Sequence, residues 1–147
     1  MITNYELDKV LYRLFVNATK PDTNTTPVTP AIVPITGSVY NGDRPLNSNG
    51  EDITIQTLSI SGDGFPQDAL TNINCYVNDI AERHGGYVRN GKRLDELSEA
   101  IIGFIDSIEI PNTAFEVDAA TEIADTAVHQ HYLNVRVRTD IYAEINE

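Results

Sequence analysis

The chain has 147 residues, the size of one domain, with 41% hydrophobic residues and a formal charge of −12. A chain this long buries roughly 68–70% of its unfolded surface, so its core needs no disulfide or metal staple. Surplus negative charge repels a phosphate backbone and argues against specific nucleic-acid binding, and no run approaches the roughly 20 apolar residues of a membrane helix.

Residues 3–18 predict a helix. Leu7, Val10, Leu11, Leu14 and Phe15 recur at three- and four-residue spacing. Thr3 and Glu6 have the spacing of a capping box, and Pro21 marks the stop. The first ten residues lack the basic and apolar regions of a signal peptide. Residues 20–34 hold four of the seven prolines, among them Pro27 and Pro30. Proline disfavours helix and sheet centres, so this stretch reads as a loop or extended arm within a single domain.

Residues 35–40 predict a short strand closed by Asn41-Gly42. In 52–61, Ile53, Ile55 and Thr57 face one way and Thr54, Gln56, Leu58 and Ile60 the other, a strand covered on both faces for part of its length. In 71–78, Ile73, Cys75 and Val77 point inward. Residues 92–108 predict a second helix with a broad stripe of Leu94, Leu97, Ala100, Ile101, Phe104, Ile105 and Ile108. Two strands close the chain. In the first, Phe115, Val117 and Ala119 alternate with Glu116, Asp118 and Ala120. In the second, Leu133, Val135, Val137, Thr139 and Ile141 alternate with polar neighbours. The expected fold is α+β: an antiparallel or mixed sheet of four to five strands with two helices packed on one face.

The chemistry of the residues points away from an enzyme and from any cofactor. There is no G-x-S-x-G elbow, dinucleotide fingerprint or phosphate loop. Cys75, the single cysteine, reads as a small core residue and suits a reducing compartment. His129 and His131 lie two apart, and on a strand both rings would share a face. With a third ligand from His84, Asp118 or Glu122 they would make a zinc site, the basis of an alternative reading as a small metal-dependent hydrolase. Residues 83–93 read as a flexible basic loop, with Arg83, Arg89, Lys92 and Arg93. Glu116, Asp118, Glu122 and Asp125 make an acidic segment with no basic residue among them. A basic loop and an acidic edge on one subunit suit a head-to-tail contact, and these eight residues, with Pro27 and Pro30 of the arm, are the candidate subunit contacts.

The runs G-S-V-Y at 37–40, G-D-R-P at 42–45, E-D-I at 51–53 and N-I-N-C-Y-V at 72–77 carry a resemblance. So do the helix R-L-D-E-L-S-E-A-I at 93–101 and the terminal H-Y-L-N-V-R-V-R at 131–138. Together they resemble small tail-completion, or tail terminator, proteins of long-tailed phages, in a group associated with Bacteroidetes phages and prophages. The resemblance implies an α+β virion tail protein, made in the host cytoplasm. It would form a ring, typically a hexamer, that caps the tail tube and meets the head connector. Its partners would be further copies of itself, the tube protein and a connector or neck protein. A head-closure or neck adaptor role is the alternative within the same class.

Overall fold

The structure is a computed structural model that describes residues 1–20, 32 and 34–145. Pro21, Pro27 and Pro30, and with them most of the expected arm, lie outside the described residues. At the far end of that stretch, Ile32 is fully buried and its N–H donates to Ala18 O at 3.1 Å.

Helix α1 runs Asn4–Thr19, and Thr3 caps it, its Oγ1 accepting from Glu6 N at 3.2 Å. Helix α2 runs Gly91–Ser107, capped by Asn90, whose Oδ1 accepts from Arg93 N. Between them lie β1 (Val39–Asn41), β2 (Ile53–Ser61) and β3 (Gln67–Asn78), followed by a small hairpin of β4 (Ile80–Ala81) and β5 (Tyr87–Val88). After α2 come β6 (Thr113–Asp125) and β7 (Gln130–Ile141). The main sheet has five strands in the order β1-β2-β3-β7-β6. Among the described residues only the β1–β2 pair is parallel. Among the described residues no helix is long and apolar enough to cross a membrane.

The α+β expectation holds, with a mixed sheet. Register lines up Ile53, Cys75 and Leu133 in one row and Ile55, Ile73 and Val135 in the next. All six are buried with Leu7, Leu11 and Phe15 of α1 and Leu97, Ile101 and Ile105 of α2. Both helices therefore cover this single face. Phe15 meets Phe104 edge to face across the helix pair, centroids 5.1 Å apart. Gln67 ties down the N-terminus from both sides, accepting from Ile2 N at 2.8 Å and donating to Ile2 O. Asp8 accepts from Thr57 N at 2.7 Å and pins α1 to β2; burial pushes its carboxyl up, partly offset by that hydrogen bond.

Several expectations need correction. Asn41-Gly42 does turn the chain, with Gly42 at φ 98°, but residues 42–52 then lead back so that β2 runs parallel to β1. Residues 83–93 are not one loop: the stretch holds β5 and the start of α2, and the turn of the β4–β5 hairpin carries Gly85 and Gly86 at positive φ. A register shift between Thr57 and Ser59 turns Ile60 back to the core side, where it packs against the cluster and Leu58 is left exposed. A second shift, between Val117 and Ala119, moves Ala119 opposite Arg136, so the predicted alternation holds only for residues 113–117. Strand β6 also continues to Asp125, five residues past the predicted run. Its Ala, Glu and Asp have little strand propensity of their own, and pairing with β7 holds them there.

Candidate functional site

The residues after β1 build a buried charge cluster. Glu51 and Asp52 sit at the entry to β2 and are 8% and 1% exposed. A buried carboxylate is tolerated only with partners, and both have them. Arg93 reaches from the first turn of α2 and grips Glu51 with two bonds, Nε to Oε2 at 2.7 Å and Nη2 to Oε1 at 2.9 Å. The same guanidinium donates to Pro34 O at 2.7 Å and to Glu96 at 3.1 Å. Hydrogen bonding to Glu51 raises the Arg93 pKa beyond its already high value.

Asp52 is the second hub. Its Oδ1 accepts from Ser38 N at 3.1 Å, and its Oδ2 accepts from Ser48 Oγ at 2.5 Å and Arg44 Nη1 at 3.3 Å. Glycine is required at 37 by space: a Cβ there would run into Asp52 Oδ1 and lie 2.6 Å from Glu51 O. Arg44 also pairs with Asp125 at 3.4 Å, and its guanidinium lies 3.4 Å above the Tyr76 ring centroid. Tyr76 in turn packs beside Tyr132, centroids 4.9 Å apart. Burial raises the Tyr76 hydroxyl, and the Arg44 charge opposes that shift.

From this hub the opposite face of the sheet, on which no helix packs among the described residues, spreads out as a polar surface. Thr54, Asn74 and Asn134 share one row, and Gln56, Asn72 and Arg136 the next. Asn134 Nδ2 donates to Asn74 Oδ1 at 2.7 Å. The loop 42–47 overhangs the face and encloses a groove of about 510 Å³ that includes Arg44, Gln56, Asn72 and Asn74.

The sequence-derived contacts are distributed unevenly. Arg83 is exposed in the hairpin turn and Lys92 on the first turn of α2. Arg89 pairs with Glu122 of the same chain at 2.8 Å. Arg93 belongs to the buried cluster and Asp125 to Arg44. Glu116 is exposed opposite Arg138, and Asp118 is exposed at the β6 register shift. The residues 83–93 and the acidic segment therefore meet within one chain, through Arg89 and Glu122. Sequence reasoning did not assign chemistry to Arg44, Glu51, Asp52 or Tyr76. Their runs stood out only through the resemblance, and the structure joins three of those runs into one cluster.

The histidines part company. His129 sits in the turn before β7 at φ 52° and stacks on Tyr87, centroids 3.8 Å apart. His131 Nδ1 lies 2.6 Å from Asp79 Oδ1. The expected shared strand face is therefore not formed, because His129 precedes the strand. Among the described residues no three His, Cys, Asp or Glu side chains are grouped to hold a metal ion. Burial, then the nearby Glu51 charge, pushes the Cys75 thiol up to about 12. Cys75 in the native protein is therefore expected to resist a thiol-specific reagent at pH 8 and to react at the full rate only in denaturant. The pH dependence follows. Below the ordinary value of 9.0 the thiol is protonated in both folded and unfolded chains, so it does not make stability vary with pH. Above 9.0 the unfolded chain releases a proton that the fold retains to about 12, so stability falls as pH rises through that window. Cys75→Ala removes this slope, and urea titrations at a series of alkaline pH values measure it.

No family model matches this chain, and no curated protein sequence matches it.

Proposed function

We propose that this protein is a structural, non-enzymatic component of a phage tail. In this reading it assembles in the host cytoplasm as a closed ring, hexameric on the family resemblance. The ring caps the tail tube and joins it to the head connector. The observation that carries the reading is the disposition of charge. The buried ionic residues are spent on one another at the start of β2, and the sheet offers a broad polar face that carries no helix among the described residues. Such a face suits stacking against another protein. The overall charge of −12 suits a wall past which DNA slides without sticking. The two sheet edges differ, β1 at one side and β6 at the other, as the non-identical contacts of a ring of more than two subunits require.

Light scattering of the full chain across concentration, with and without tail tube protein, tests this. The expected result is a ring that forms on the tube end or at high protein concentration. Because like charges gather in it, moderate salt favours it. A chain that stays monomeric with the tube present, and that mass spectrometry does not find in virions, sinks the reading. Attachment to isolated portal complexes instead of tubes would move the protein to the head-closure role.

A further inference from the structure

Strand β6 ends the sheet, and among the described residues no strand pairs with its outer edge. That edge is 13 residues long, more than twice a common strand, and β1 at the opposite side has three. The hydrogen-bonding phase of β6 can be read from its neighbours. Tyr142 N donates to Asn112 O, so residues 112, 114 and 116 turn their backbone polar groups toward β7 and residues 113, 115 and 117 turn theirs away. The register shift at Val117/Ala119 resets the phase, so Ala120, Glu122 and Ala124 present theirs outward. The residues from 118 to 124 are exposed on both faces of the strand. An edge of this length and openness is a template for strand addition.

The charge on the edge selects what can add. Residues 113–125 hold four acidic side chains and no basic one. Arg89 answers Glu122 and Arg44 answers Asp125. Arg138, opposite Glu116, is already shared by Asp68 at 3.2 Å and Asp140 at 3.8 Å. Asp118 has no ion-pair partner among the described residues. A second copy of β6 fits badly: antiparallel addition centred on Ala120 sets Asp118 of each copy against Glu122 of the other, and like charges directly opposite are destabilising.

We propose that the outer edge of β6 captures an extended segment of a partner protein bearing lysine or arginine at alternate positions, by strand addition. The backbone supplies the affinity, and Glu116 and Asp118 select for basic side chains. This goes beyond the tail reading, and its test on the free chain needs no ring. The probe is a synthetic peptide of about ten residues alternating lysine and valine, with the same peptide methylated at every backbone nitrogen as its partner. The full chain is expected to bind the unmethylated peptide at least about tenfold more tightly. Binding should protect the amides of Ala120, Glu122 and Ala124 from hydrogen exchange. Ala120→Pro removes an outward N–H without touching the β7 ladder and should abolish that preference, and Glu116→Lys with Asp118→Lys should weaken binding at least about tenfold. Equal binding of the two peptides would reduce the effect to bulk charge and overturn the proposal. A folded Ala120→Pro variant that binds like the unaltered chain, or a self-dimer of the unaltered chain that Ala120→Pro abolishes, would overturn it as well.

Discussion

Replacing Arg93 with methionine is expected to destabilise the protein by about 3–5 kcal/mol, the usual consequence of removing one partner from a buried ion pair. The reason lies in what is left behind. Glu51 is 8% exposed and would lose both bonds of the guanidinium grip, and Pro34 O would lose its donor. Thr36 N would remain as a donor to Glu51 Oε1, at 3.2 Å. Adding Glu51→Gln should recover much of the loss, because an amide costs far less to bury than an unpaired carboxylate and can still accept from Thr36. Urea unfolding of the single and double variants gives the coupling directly. A single-variant loss below about 1 kcal/mol would place the pair in the class of exposed salt bridges and remove its role as the clamp between α2 and the start of β2.

Phe15→Ala should cost about 3–5 kcal/mol, as large-to-small changes of buried aromatics do. Phe15 is fully buried at the middle of the layer between the helices and the sheet, and its edge-to-face contact with Phe104 adds about 0.5–1.5 kcal/mol beyond area alone. Phe104 is only partly buried, so Phe104→Ala should cost clearly less. Thermal unfolding of both variants checks the order. If Phe104→Ala proved the more damaging of the two, the helix pair would be packed about a different centre.

The local grammar of the chain determined a good deal. Helix α1, its Thr3 cap and its apolar stripe were legible, because a 3.6-residue period and a hydroxyl at the N-cap are properties of neighbouring residues. The same holds for α2 and for the alternation of β3 and β7, whose inward residues Ile73, Cys75, Val135 and Val137 are all buried. The α+β class followed from these elements. What the tertiary structure decided is whatever depends on a distant partner. Parallel pairing of β1 with β2 rests on where the 42–52 loop returns, and the Asn-Gly signal does not report that. The two register shifts reverse which residues face the core, and a strict period of two cannot anticipate them. The charge cluster lay beyond local reading for the same reason. Arg93 meets Glu51 across 42 positions and Arg44 meets Asp125 across 81. An arginine looks identical in sequence whether it is solvated or buried against a carboxylate. Only the folded sheet, which brings 34–52, 93 and 125 to one corner, turns scattered charges into a structural clamp and leaves the outer edge of β6 without a partner strand among the described residues.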